Sequence, residues 1–103
     1  INPAFLGHLE RGLKSPTVVG AQAANELLDV EGIKASFVLT SYHNVIYISA
    51  RSIDEVNVQV IMEKLGGGGH LNVAGAQVSG YTMTETLNMI KNIINEMKEQ
   101  GDL

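Results

Sequence analysis

Apolar residues recur three and four positions apart in several parts of the chain, which is the spacing of amphipathic helices. These predicted helices cover residues 2–13, 16–31, 58–65 and 83–100. Asn2 is a helix N-cap candidate in front of Pro3, and Asn57 is another. Thr82 and Glu85 form a capping-box pattern, and Gly101 closes the last helix. The pattern therefore predicts three to four helices.

Over residues 33–40, apolar residues alternate with a more polar set instead, which predicts a half-buried strand. Residues 45–50 are rich in β-branched and aromatic side chains, and the turn residues 41–44 precede them. A β-hairpin over residues 33–50 follows from this arrangement. A further short strand is predicted over residues 75–79. We therefore expect a small α/β (α+β) domain with a mixed β-sheet that contains a hairpin.

Four consecutive glycines, Gly66 to Gly69, follow the third helix and lead into His70. Gly66 alone would serve as the left-handed residue that ends a helix, which leaves three glycines without an explanation. Backbone without Cβ atoms lets N–H groups approach an anion closely, and a histidine adds a directional donor. This stretch lacks the spacing of a nucleotide-binding P-loop, because no GxxxxGK[ST] pattern is present. The run is interpreted as a ligand-binding loop.

Arg51 and Ser52 stand where the second hairpin strand ends. An arginine followed by a hydroxyl residue has suitable donors for a phosphate group. The alternative is a surface ion pair between Arg51 and Asp54 or Glu55, and the residues alone do not decide between the two interpretations. If the first interpretation is right, Arg51, Ser52 and the glycine run converge at one edge of the sheet.

Charge and composition limit the function. The formal net charge is −4 and 17% of the residues are charged, so any recognition of phosphate must be local rather than driven by a basic surface. No cysteine is present, and no apolar run is long enough to span a membrane. The three histidines do not form a metal-ligand pattern with the carboxylates. We expect no metal site and no catalytic residue on this chain, and because it begins at Ile1 we expect it to be a fragment of a longer protein.

Several of these motifs, taken together, resemble the DHH-associated domain of the DHH phosphoesterase superfamily. They are Ile48-Ser49-Ala50-Arg51-Ser52, Asn57-Val58-Gln59, Gly66-Gly67-Gly68-Gly69-His70 and Ala74-Gly75-Ala76. The resemblance covers residues 16–97 and is greatest to GdpP-type cyclic di-AMP phosphodiesterases of Gram-positive bacteria. Residues 15–103 are then the substrate-binding domain, and residues 1–14 are a linker or an N-terminal helix.

The resemblance implies a division of labour between two domains. A separate DHH domain of the same polypeptide would hold two Mn²⁺ ions and carry out hydrolysis. The substrate, cyclic di-AMP or a related dinucleotide, would be held by Gly67, Gly68, Gly69 and His70, assisted by Arg51 and Ser52. Asn57 is a weaker candidate, because N-capping already explains it. The fragment alone is expected to be inactive, and its parent is expected to be membrane-anchored with this domain in the cytoplasm.

Two other functions remain open. The same domain type occurs in short-oligonucleotide nucleases, in the RecJ exonuclease and in alanyl-tRNA synthetases, which would make this chain an RNA or oligonucleotide-binding module. The acidic balance argues against tight RNA binding. The apolar composition is also compatible with a packing or homodimerisation unit.

Overall fold

The computed structural model describes residues 4–10 and 16–101. This part of the chain contains five strands and three helices. The strands are β1 (Ala4–Glu10), β2 (Ala35–Tyr42), β3 (Val45–Ser52), β4 (Gly68–His70) and β5 (Val73–Ser79). The helices are α1 (Pro16–Leu28), α2 (Val58–Glu63) and α3 (Met83–Glu99).

The strands form one sheet in the order β1-β2-β3-β5-β4. β1 runs parallel to β2, and the other neighbouring pairs are antiparallel. β2 and β3 are joined by a tight turn in which His43 and Asn44 have φ angles of 51° and 65°. Two left-handed residues are the signature of the turn that best matches the twist of a hairpin. The predicted mixed sheet, its hairpin and the helices predicted over residues 16–31, 58–65 and 83–100 are confirmed.

The helix predicted over residues 2–13 is wrong where the structure describes it, because Ala4–Glu10 is a strand. A short isolated helix gains little stability without a packing partner, and Gly7 weakens it further. The outer edge of β2, in contrast, offers a complete ladder of hydrogen bonds that extended backbone can satisfy. The proposed N-cap at Asn2 lies outside the described residues, and the domain boundary at residue 14 stays a prediction.

One face of the sheet carries the main hydrophobic core. Alternate residues of β2, β3 and β5 point toward α2 and α3, and Phe37, Leu39 and Ile48 are almost completely buried there. Ile61 and Met62 of α2 and Ile90 of α3 close this layer. The predicted capping box is confirmed, because Thr82 and Glu85 exchange hydrogen bonds of 2.8 and 3.1 Å. This face therefore fixes the position of β5 and of the glycine run that pairs with it.

The opposite face is only partly covered. α1 packs on β2 and β3, and the hydroxyl of Ser36 donates a 2.8 Å hydrogen bond to the carbonyl of Ala24 on the helix. Gly20 allows this close approach, because a Cβ atom there would lie 2.8 Å from Oγ of Ser49. Beyond α1, parts of β3, β5 and β4 remain accessible and form the floor of a cleft.

Candidate functional site

The cleft has a volume of about 790 Å³ and lies between α1 and the β4–β5 end of the sheet. Thr17 and Ala21 of α1 form one wall, and the glycine run forms another. The floor is made by β3 and β5. Five of the predicted site residues line it, namely Arg51, Gly67, Gly68, Gly69 and His70. The predicted convergence of Arg51 with the glycine run is therefore what the structure shows.

The strand register arranges the floor in rows of directly opposed residues. Arg51 lies opposite Val73 on β5, and Val73 lies opposite His70 on β4. Arg51 and His70 thus belong to one row across three strands, with about 10 Å between their backbones. Because directly opposed residues share a face of the sheet, their side chains project to the same side. An arginine and a histidine consequently flank one half of the cleft.

The guanidinium group of Arg51 is held by three hydrogen bonds. Nε donates to Oδ1 of Asn25 on α1 at 3.1 Å, and Nη1 donates to the carbonyls of Ala50 and Ala74 at 2.9 and 3.5 Å. Partial burial lowers the pKa of Arg51 below its ordinary value, and arginine remains charged at neutral pH. The ion pair with Asp54 or Glu55 is not formed within residues 16–101, where Glu55 lies 3.9 Å from Lys34 instead. The charge of Arg51 is therefore oriented by neutral groups and is not cancelled by a carboxylate.

Three of the four glycines have a structural explanation. Gly66 has a φ of 85° and follows the end of α2, as predicted for a left-handed helix terminus. A Cβ atom on Gly67 would lie 2.6 Å from Cβ of Ala76, and one on Gly69 would lie 2.5 Å from Cα of Ala74. Gly69 also has a φ of 145°. These residues let β4 and the preceding turn approach β5 more closely than any side chain would permit.

Gly68 is different, because a Cβ atom there would have no heavy atom within 4 Å. It lies opposite Gly75 on the cleft side of the sheet and lines the cleft. Packing within the described residues gives no reason for a glycine at this position. The interpretation of the run as a loop is also corrected, since Gly68–His70 is the edge strand β4.

His70 is exposed at the end of β4 and lines the cleft. Its side chain makes no hydrogen bond or ion pair with residues 16–101. Nothing in that part of the chain therefore competes with a ligand for the imidazole.

Ser52 and Asn57 do not line the cleft. Ser52 is only 5% exposed, and its hydroxyl donates to the carbonyl of Val56 at 2.6 Å and accepts from Nδ2 of Asn72 at 2.8 Å. Oδ1 of Asn57 accepts from the backbone of Val60 at 3.3 Å, which is the predicted N-cap. Ser52 thus fastens the connection between β3 and α2 to Asn72 in the turn before β5, and Asn57 caps α2.

Sequence reasoning missed three polar residues that matter for the cleft. Asn25 orients Arg51 from α1, and Tyr47 and Gln77 lie opposite each other on the floor. Tyr47 is spaced two and four positions before Ser49 and Arg51, so strand alternation places all three on one face. That spacing was the available signal for Tyr47. Asn25 had none, because its role depends on how α1 lies across β3.

Two features are absent from the part of the chain that the structure describes. Residues 4–10 and 16–101 contain no group of three or more histidine, cysteine, aspartate or glutamate side chains that could hold a metal ion. Across the same ranges no helix is long and apolar enough to cross a membrane. The side chains of the cleft offer a guanidinium, an imidazole, a phenol and an amide.

Several known proteins are similar to this chain in sequence. The chain is 56% identical over 70 residues to the cyclic-di-AMP phosphodiesterase PdeA of Listeria monocytogenes, which covers 67% of the chain and 11% of that protein. It is 47% identical over 85 residues to the cyclic-di-AMP phosphodiesterase GdpP of Bacillus subtilis, covering 82% of the chain and 13% of that protein. An A-adding tRNA nucleotidyltransferase of Geobacter sulfurreducens is 31% identical over 78 residues, which are 75% of the chain and 9% of that protein. The chain thus spans about an eighth or less of the length of these relatives.

Solved structures share the fold. An exopolyphosphatase-related protein from Bacteroides fragilis has a TM-score of 0.67 and 26% identity, over 75% of this chain and 23% of that one. The C-Ala domain of Aquifex aeolicus alanyl-tRNA synthetase has a TM-score of 0.68 and 18% identity, over 87% of this chain and 88% of that one. At that identity the second likeness concerns the fold alone. The family profile of the DHHA1 domain matches residues 13–100, and the chain belongs to this family.

Proposed function

We propose that this chain is the substrate-binding domain of a metal-dependent phosphodiesterase that hydrolyses cyclic di-AMP or a related adenine dinucleotide. The observation that carries the proposal is the row formed by Arg51, Val73 and His70 across the cleft floor. A phosphate between the ends of this row is within reach of a guanidinium and an imidazole. Charge-assisted hydrogen bonds of this kind are about twice as strong as those between neutral groups.

The strand β4 adds a reason for anion binding. Gly68 presents bare backbone to the cleft, so a phosphate can approach it without meeting a side chain. Nη2 of Arg51 donates no hydrogen bond to residues 16–101 and is available to the same phosphate. Gly67 and Gly69 contribute indirectly, by keeping β4 close to β5.

Hydrolysis is assigned to another part of the parent protein. A DHH domain of the same polypeptide would hold two Mn²⁺ ions, whose chemistry is to activate water and stabilise the phosphate charge. The residues of this chain bind and orient the substrate's phosphate for that centre. The names of the relatives PdeA and GdpP support cyclic di-AMP as the substrate. We also propose, as an extension of the same likeness, that the parent is anchored in a membrane with this domain on the cytoplasmic side.

The test compares binding with hydrolysis in the purified chain. The chain is expected to bind a linear or cyclic adenine dinucleotide weakly, to bind it more weakly still in Arg51→Ala, and to release no product when Mn²⁺ is added. Binding is measured by titration of backbone amide resonances, and product by chromatography. Hydrolysis that requires Mn²⁺ and stops with a chelator would refute the division of labour. Binding that is unchanged in Arg51→Ala would refute the anion site.

An RNA-binding module is the second candidate, and the name of one relative favours it. That relative is an A-adding tRNA nucleotidyltransferase, which is 31% identical to this chain over 78 residues. The net charge of −4 opposes extended contact with a nucleic-acid backbone. A titration of RNA binding against salt separates the candidates. A steep loss of RNA affinity with rising salt favours an RNA-binding module, and little RNA binding favours a small dinucleotide.

A homodimer of the chain is a further proposal about partners. Sedimentation velocity at several concentrations tests it directly. A single species of 11.1 kDa at all concentrations would exclude the dimer.

A further inference from the structure

The cleft has a second end, away from the row that contains Arg51. Tyr47 and Gln77 lie directly opposite each other on β3 and β5, and both line the cleft. Each stands four positions along its strand from the row of Arg51 and Val73. With the usual rise of a strand, the two rows are about 13 Å apart. Side chains as long as those of arginine, tyrosine and glutamine can reach into this gap from its two ends, which brings it to the scale of one nucleotide.

The floor between the two ends is nearly flat. Its middle row consists of Ser49, Gly75 and Gly68, which lie opposite one another on β3, β5 and β4. The two glycines have no side chain, and Ser49 is only 7% exposed beneath α1. No side chain on β5 or β4 therefore separates Gln77 from the anion-binding end. A sugar ring can cross this part of the floor.

Tyr47 and Gln77 are suited to a nucleobase rather than to a second phosphate, because neither carries a charge at neutral pH. An aromatic ring provides a stacking surface for a base. A glutamine amide presents one acceptor and one donor side by side. Adenine presents the complementary pair, its N6 amino donor and N7 acceptor, whereas the same edge of guanine carries two acceptors.

We propose that Tyr47 and Gln77 form a subsite for a purine base, with adenine preferred to guanine. The base belongs to a nucleotide whose phosphate lies between Arg51 and His70, so this inference rests on the proposed function. Tyr47 supplies the stacking surface and Gln77 reads the base edge. The anion end of the cleft supplies affinity for any phosphate, and this second end supplies the choice of base.

The experiment measures dissociation constants of the 103-residue chain for AMP, GMP and ribose 5-phosphate by titration of amide resonances. Ribose 5-phosphate has the anion and the sugar but no base. AMP is expected to bind about tenfold tighter than ribose 5-phosphate, since stacking on an aromatic residue is a substantial part of base affinity. GMP is expected to bind more weakly than AMP. The side-chain amide resonances of Gln77 are expected to shift with AMP and not with ribose 5-phosphate.

Three variants divide the contributions. Gln77→Ala is expected to remove the preference for AMP over GMP. Tyr47→Leu is expected to remove most of the advantage of AMP over ribose 5-phosphate, and Tyr47→Phe to keep it. All three variants are expected to bind ribose 5-phosphate as the unchanged chain does. Because Tyr47 is half-buried, its variants are checked for folding, and Gln77→Ala alone carries the test if Tyr47→Leu does not fold.

Equal affinities of the unchanged chain for AMP and ribose 5-phosphate would overturn the base subsite. A preference for AMP over GMP that survives Gln77→Ala would overturn it as well. The proposed function fails in a different way, through ribose 5-phosphate binding that does not respond to Arg51→Ala. A failure of the base subsite is therefore seen in the comparison of AMP with ribose 5-phosphate and in Gln77→Ala. A failure of the proposed function is seen in the binding of ribose 5-phosphate by Arg51→Ala.

Discussion

Asn25 accepts a hydrogen bond from Nε of Arg51 across 3.1 Å, which ties a side chain of α1 to the cationic group of the cleft. The two residues are 26 positions apart in the chain. Arginine has a large rotamer freedom, and fixing it before a ligand arrives lowers the entropy that binding costs. Asn25 is therefore a positioning residue for Arg51.

Replacement of Asn25 by alanine is expected to weaken phosphate binding by about threefold to tenfold, the range for one net hydrogen bond. The dissociation constant for ribose 5-phosphate measures this effect. Gln22→Ala, an exposed change on the same helix, is the control and is expected to have no effect. In an Arg51→Ala background, Asn25→Ala is expected to cause no further loss. An equal loss in both backgrounds would show that Asn25 acts independently of Arg51.

The same change, from glycine to alanine, is expected to lower stability at Gly67 and to weaken ligand binding at Gly68. Gly67→Ala is expected to destabilise the fold by about 3 kcal/mol or more, because its Cβ atom would overlap Ala76 and the carbonyl of Gly75. Gly68→Ala is expected to change stability by less than about 0.5 kcal/mol, since its Cβ atom enters open space. That open space is the cleft, so Gly68→Ala is expected to weaken ligand binding. Urea unfolding and ligand titration on both variants measure the two effects.

Two outcomes would contradict these expectations for Gly67 and Gly68. Normal ligand affinity in Gly68→Ala would leave the glycine at this position without a binding role. Stability of Gly67→Ala equal to that of the unchanged chain would contradict the close approach of the glycine run to β5.

Ser52 is expected to act on stability and not on the ligand. Ser52→Ala removes a buried hydroxyl that bonds to Val56 and Asn72, which costs about 1–3 kcal/mol. For a domain of this size the melting temperature is expected to fall by at least about 4 °C. Ser79→Ala, an exposed change at the end of β5, is the control. Weaker ligand binding by Ser52→Ala without a change in melting temperature would instead favour a direct contact with the phosphate.

Arg51 and His70 are expected to matter for turnover in the full-length parent protein. Arg51→Ala is expected to lower kcat/KM by about tenfold to a hundredfold, the range for a lost hydrogen bond to a charged group. His70→Ala is expected to lower it in the same direction. Circular dichroism is expected to show that both variants remain folded, because His70 is exposed and Arg51 is only half-buried.

Matched controls exist for both residues. Lys91→Ala removes an exposed cation from α3, and His43→Asn changes an exposed histidine in the hairpin turn. Asparagine suits the left-handed backbone at His43, where φ is 51°. Neither control is expected to change kcat/KM. An unchanged kcat/KM in both Arg51→Ala and His70→Ala would show that the row of Arg51, Val73 and His70 has no role in turnover.

Local patterns in the sequence are sufficient for most of the secondary structure. The alternation over residues 33–40 corresponds to β2, and the β-branched and aromatic residues over 45–50 correspond to β3. The capping box at Thr82 marks the start of α3. These features are determined by near neighbours in the chain, through side-chain periodicity and caps. β1 and β4 were missed for the opposite reason. Each is held by pairing with one strand of the sheet, and β4 consists of two glycines and a histidine without any alternation.

The sequence by itself determined which residues could bind a phosphate, because arginine, histidine and exposed glycine backbone have that chemistry wherever they lie. Only the tertiary structure decided which of them lie together in one cleft. Strand register brings Arg51 and His70 into one row, and it places Tyr47 and Gln77 at the other end of the same cleft. Register also turns Ser52 away into the protein interior, although it is the chain neighbour of Arg51. The physical reason is the pleat of a strand, which sends successive side chains to opposite faces while pairing joins residues that are distant in the chain.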